Sequence, residues 1–193
     1  MREGDTGSVR YAGRLSPEEF WARIAEMEQR VRDTATILPC YGLANWSGLL
    51  MVGDWAWEND QLVTVGLGHG DPAGDGPVVH VRTTVHDARR EAASLRMTAE
   101  RRPHDKDDFL RRRHEVDAVP AVEMDIPVDS APVRFQVWRG ADRWWAAADH
   151  AAHGLVIESY RMPTDGIKLV RVHDIEPYLA GRRAHLRALR GEA

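Results

Sequence analysis

The sequence predicts an α+β domain: a curved, mainly antiparallel sheet with helices from the N- and C-terminal ends packed on it. Three observations carry that prediction. A well-signalled helix begins at Ser16, short strand-like segments then follow in runs separated by turn residues, and an amphipathic stretch closes the chain. Strands grouped in runs and bracketed by helices indicate α+β architecture, because a parallel sheet requires strand and helix to alternate.

Ser16-Pro17-Glu18-Glu19 places Ser at the N-cap, Pro at the first helical position and Glu at the third, which is a capping box. Leu15 and Phe20 stand where a hydrophobic staple sits. Phe20, Ile24, Met27 and Val31 recur at helical spacing and predict the buried stripe. Glu19/Arg23, Glu26/Arg30 and Glu28/Arg32 are i,i+4 pairs expected on the outer face. Pro39 bounds the helix between about Thr34 and Leu38.

Leu49 to Trp57 and Gln61 to Leu67 flank a short polar turn and read as a hairpin, with Val78 to Val85 a third strand. From Ala88 to Arg102, Ala88, Ala92, Leu95 and Ala99 share a helical face behind Asp87, a plausible N-cap. Leu95, Met97 and Ala99 also alternate as a strand would, and helix is the preferred reading. A short helix is expected from about Asp107. The charged segment 103–120 is the one candidate boundary within an otherwise single domain spanning 1–193. Residues 1–14 carry no element signal and are expected to be poorly ordered.

The C-terminal half reads as a five-strand meander. Val122, Met124, Ile126 and Val128 alternate with polar residues, and Pro127 marks an edge strand. Val133, Phe135 and Val137 form the next strand, followed by Arg143 to Asp149, Leu155 to Met162 and Ile167 to Val172. A helix from about Ile175 closes the chain, with Ile175, Leu179, Leu186 and Leu189 inward and its arginines outward.

Composition bounds function. The 193 residues are 43% apolar and 29% charged, enough for a sizeable core and too apolar for disorder. No apolar run approaches a membrane span, and no apolar segment follows Met1 as a signal peptide requires. A cytoplasmic protein without membrane association is expected, and the single Cys40 fits a reducing compartment. A net charge of −4 argues against nucleic acid as partner. Lys occurs only at Lys106 and Lys168, every other basic residue being Arg, which suggests a GC-rich bacterial genome.

No motif commits the chain to a reaction. The glycine-rich stretch from Gly66 to Gly76 lacks a Lys and carries Asp71 and Asp75, so it reads as a hairpin loop and not a phosphate cradle. Asp149, His150 and His153 are the one metal-like spacing, but they fall in a turn where polar residues belong, so neither metal nor other cofactor is expected. Cys40 fits a buried, inert thiol better than a nucleophile, and Ser47 lacks the first glycine of a nucleophile elbow. His80 and His86 fall in or beside a strand with no partner legible in sequence. The clusters Arg101-Arg102, Arg111-Arg112-Arg113 and Arg182-Arg183 read as solvated helix surface.

Tryptophan says more. Trp138 falls among Arg134 and Gln136 on the polar face of its strand, and the turn at Gly140 brings Trp144 or Trp145 back beside it. Aromatic rings on a polar sheet face suit a binding surface. The leading expectation is therefore a non-catalytic binding or protein-interaction domain using Trp138, Trp144, Trp145 and Arg134 toward a protein partner, a second copy or a small ligand. Two alternatives stand beside it: the rings are core under a helix, or the chain is a small hydrolase drawing on Asp149, His150, His153 and His173.

Overall fold

The computed structural model describes residues 15–35, 37–59, 61–71, 74–99, 111, 114–116 and 118–192. The first fourteen residues and most of the expected helix from Asp107 lie outside them, although 111, 114–116 and 118 are helical. Three helices have defined bounds: α1 (Pro17–Ala35), α2 (Ala88–Ala99) and α3 (Glu176–Arg190). Nine strands form one sheet: β1 (Cys40–Leu43), β2 (Leu50–Glu58), β3 (Gln61–His69), β4 (Val78–Thr84), β5 (Val122–Val128), β6 (Ala131–Arg139), β7 (Arg143–His150), β8 (His153–Tyr160) and β9 (Leu169–Val172). Their spatial order is β1-β9-β5-β6-β7-β8-β4-β3-β2, a curled half-barrel that is antiparallel except where β5 meets β9.

The predicted local signals appear as bonds. The Glu19 N–H donates to Ser16 Oγ at 3.2 Å, and the Ser16 N–H donates back to Glu19 Oε2 at 2.8 Å. That exchange satisfies two otherwise orphaned donors at the helix start and holds the Glu19 carboxyl below its usual pKa. The Ala- and Arg-rich stretch resolves as helix α2, capped by the Arg90 N–H donating to Asp87 Oδ1 at 2.7 Å.

Two antiparallel meanders supply most of the sheet. β2-β3-β4 and β5-β6-β7-β8 each pair in chain order, and β4 joins β8 from Val78↔Tyr160 to Thr84↔Gly154. The expected fifth strand of the second meander does not follow β8. Instead β9 crosses to pair with β1, Cys40↔Val172 to Leu43↔Leu169, and touches β5 only at Val128. β5 therefore pairs along its length with β6 alone among the described strands, but it lies between β9 and β6 and is not the edge strand that Pro127 suggests.

The inner face of the curl holds the main core. Val79, Val81, Phe135, Val137, Trp144, Ala146, Leu155 and Ile157 pack there against Tyr41, Leu43 and Leu169 from the closing strands. Where β2 and β3 extend past that closure, α1 and α3 cover the same face through Val31, Tyr178 and Leu179 against Val52, Val65 and Leu67. The α3–β2 contact is backbone-close: a Cβ on Gly181 would lie 1.7 Å from the Leu50 carbonyl oxygen. α2 packs on the outer face, with Ala88 and Ala92 against Trp138, Trp145, Ala147 and Val156.

Two expectations about helix surfaces are corrected. Glu28 is buried, paired with Arg183 from α3 and with Arg32 at 3.7 Å, because α3 crosses that side of α1. Leu189 is exposed while Leu179 and Leu186 are buried as expected, and α3 adds its arginines to that packing: Arg182 donates to the Val52 and Gly53 carbonyls and covers Trp55, while Arg187 and Arg190 cover Trp21 and Phe20. The Arg182-Arg183 pair is thus packing material and not a solvated face.

Candidate functional site

The structure puts the four sequence-selected residues in three environments. Trp138 and Trp145 are direct partners across β6 and β7 on the outer face, as the turn at Gly140 predicts. Each is only 8% exposed. The cover is α2, with Leu95 and Ala121 alongside and the Arg96 guanidinium 4.9 Å from the Trp138 ring centre. The C-terminal helix plays no part there. Arg134 shares that face but stands in solvent, donating to Asp125 Oδ1 at 2.5 Å and to Glu123 Oε2 at 2.9 Å.

The Trp pair begins a row that crosses five strands. Trp145 faces Glu158, Glu158 faces His80 and His80 faces Gly68. Trp145 Nε1 donates to Glu158 Oε1, and Arg82 donates to Glu158 Oε2, both at 3.3 Å. The His80 ring lies over β2 and β3, where a Cβ on Gly53 would fall 2.9 Å from its Nδ1. Glycine in a strand interior weakens the strand, and here it seats an imidazole. Sequence reading found neither Glu158 nor Arg82. The available signal was the His and Arg that interrupt the apolar run of β4.

The histidine alternatives come together in part: His150 and His153 are direct partners across β7 and β8. Asp149 and His150 are consecutive in β7 and so point to opposite faces. His150 stands edge-on to Tyr41, ring centres 5.7 Å apart, while His173 lies beyond β9. Among the described residues no three His, Cys, Asp or Glu side chains group to hold a metal ion. Cys40 is buried, and desolvation pushes its thiol up to about 11, far from the thiolate a nucleophile requires.

One buried histidine that the sequence reading did not select ties three elements together. His69 Nε2 accepts from the Leu43 N–H at 3.0 Å, so Nδ1 carries the proton and donates to the Val79 carbonyl at 3.3 Å. The Tyr178 hydroxyl lies 3.2 Å from Nε2. Burial holds the His69 pKa down at about 4, and the ring is neutral at pH 7. Gly42 makes room for this cluster, since a Cβ there would sit 2.5 Å from the Tyr178 oxygen. The arrangement is a structural clasp between β1, β4 and α3.

Trp144 leads to an opening. It points inward from β7, 5% exposed, and its Nε1 donates to the Met162 carbonyl at 2.6 Å. That bond fastens the 161–165 loop beside the β6–β7 turn, and Arg139 reaches across to donate to Thr164 Oγ1 at 3.0 Å. Between turn and loop lies a shallow depression of about 390 Å³ bordered by Arg139, Arg143, Trp144, Arg161 and Thr164. Arg143 and Arg161 both pack on the Tyr160 ring, at 5.1 and 4.6 Å from its centre. Arg161 adopts a left-handed backbone, φ 56°, uncommon for a residue other than glycine, with its N–H bound to the Asp142 carbonyl. No family model, curated relative or solved structure matches the chain.

Proposed function

We propose that this chain is a non-catalytic binding domain whose ligand contact is the depression beside Trp144. The observation that carries this reading is convergence: β6, β7, their turn and the 161–165 loop each place a side chain around one opening. Bonds within the chain hold two of these groups, Trp144 on Met162 and Arg139 on Thr164, so the contact surface is formed before a ligand arrives. Trp138 and Trp145 then act from beneath, as the packed layer that fixes the β6–β7 hairpin against α2. The inert environment of Cys40 supports binding over nucleophilic catalysis by that thiol.

Chemical-shift mapping with a panel of small anionic, neutral and cationic fragments tests the proposal. Perturbations clustered on residues 139–144 and 160–165 are the expected result. Fragments that perturb other surfaces and leave these residues unmoved would refute it.

A further inference from the structure

We infer that His150 and His153 form a two-imidazole binding site for a divalent first-row metal ion of the copper and zinc kind. The site lies at the end of β7 opposite the depression beside Trp144 and does not depend on the binding reading above. In sequence, Asp149, His150 and His153 read as a solvated turn with no metal expected. The ladder divides that trio, setting Asp149 against Gly154 and His150 against His153. Asp149 thus faces away, and the two imidazoles share the inner face, one row beyond the buried Ala148 and Leu155.

Two features hold the pair in place. The strands are joined by a two-residue turn, Ala151-Ala152, whose first residue is left-handed at φ 53°. Turn type and loop length fix the register of a hairpin, so the two histidines stay opposed. The His150 ring stands edge-on to the buried Tyr41, ring centres 5.7 Å apart, so part of its side-chain freedom is already lost on folding.

Neither ring makes a hydrogen bond or ion pair with another described residue. His69 and His86 differ in this, being engaged by the clasp and by Glu58 at 3.2 Å. Both imidazoles of the pair are half-buried, so an ion reaches them from solvent. Directly opposed residues have Cβ atoms about 4.5–5.5 Å apart. Metal–nitrogen bonds of about 2.0–2.1 Å put two ligating nitrogens about 3 Å from each other, a gap that rotation of the two side chains closes. Imidazole suits copper, nickel and zinc, whereas magnesium and calcium take oxygen ligands. Two protein ligands leave the other coordination positions to water or to a donor on another molecule.

The experiment titrates the full untagged chain, stripped with a chelator, with Zn²⁺, Cu²⁺ and Mg²⁺ at pH 7 in a non-coordinating buffer, read by calorimetry and by amide and imidazole shifts. Zn²⁺ should bind one ion per chain and move the signals of residues 148–155. Cu²⁺ should bind more tightly, and Mg²⁺ should leave the spectrum unmoved. His150→Gln and His153→Gln should each weaken Zn²⁺ by more than about tenfold, the lower bound for losing even an outer partner of a ligand. Asp149→Asn, on the other face, and His86→Gln should bind as the parent does. Zn²⁺ shifts that are absent here or gather at other histidines would overturn the inference, as would Mg²⁺ matching Zn²⁺. A chain carrying both His150→Gln and His153→Gln that binds like the parent would do the same, and so would loss of binding in Asp149→Asn. The shifts are read on the parent, so a variant that fails to fold leaves the inference open to refutation.

Discussion

Acidification from pH 7 to pH 4 should weaken the fold through His69 in particular. Folded, this imidazole has its pKa held down at about 4, chiefly by burial, against an ordinary value of 6.5. Between those two values the unfolded chain binds a proton that the folded chain refuses. Stability is therefore complete above about pH 6.5, falls as pH falls through the window and levels off below about pH 4. At about 1.4 kcal/mol per pH unit the loss is about 3 kcal/mol. The structural reason is visible in the clasp: a proton on Nε2 would remove the acceptor of the Leu43 N–H and place a charge in an apolar interior. Urea titrations at half-unit pH intervals, run on the parent and on His69→Gln, measure the effect. Carboxylate titration near pH 4 is common to both proteins, so the difference between their curves isolates the histidine. The variant should be less stable at pH 7 and its curve flatter by about 3 kcal/mol. Parallel curves would show that His69 is protonated in the folded state, and the clasp as drawn would be wrong.

Further outcomes follow from the packing. Gly181→Ala, a change that usually stabilises a helix by about 1 kcal/mol, should here cost about 3 kcal/mol or more in denaturant, because the new Cβ meets the Leu50 carbonyl. Trp138→Ala should cost about 3–5 kcal/mol, as for an aromatic removed from under a helix; an unchanged unfolding midpoint would mean that α2 does not cover the ring. Ser16→Ala should cost about 1 kcal/mol and Ile24→Ala about 2–5 kcal/mol by the same titration, and a harmless Ile24→Ala would put the α1 stripe in solvent. Cys40 should resist iodoacetamide at pH 8 in the folded protein and react once unfolded, as mass spectrometry would report; rapid alkylation of the native chain would contradict its buried, protonated state.

Elements whose signal is local were legible in the sequence. The α1 cap and the β2–β3 and β6–β7 hairpins each depend on residues close along the chain, whereas Pro127 pointed to an edge and β5 lies between β9 and β6. Four-residue β1 was not legible, because its strand character comes from pairing with β9 across most of the sequence. The same holds for the placement of β9, which local alternation assigned to the meander. Glu28 read as an outer-face residue because its helical period is right for that face, and only the crossing of α3 buries it. At the site, Trp144 was selected for its aromaticity, yet its partners are Arg139 across the ladder and the Met162 carbonyl. The link between them depends on the β7–β8 register, Arg143↔Tyr160, which brings the residue after β8 back to the β6–β7 turn. A ladder register of that kind is a property of the folded sheet and leaves no pattern within a single strand.

The join between the two meanders also bears on how the chain reaches its native state. Pairing within β2-β3-β4 and within β5-β6-β7-β8 closes short loops, which is fast, whereas β4 on β8 and β1 on β9 close long ones whose entropy must be overcome before any contact rewards it. Each meander has a strand edge that waits for the other, β4 and β8, and both edges carry apolar inner faces. Until they meet, those edges are free to pair with the same strand of another molecule. Refolding at high protein concentration should accordingly lose yield at this step, whereas a chain that has closed β4 onto β8 keeps its most apolar ladder out of reach.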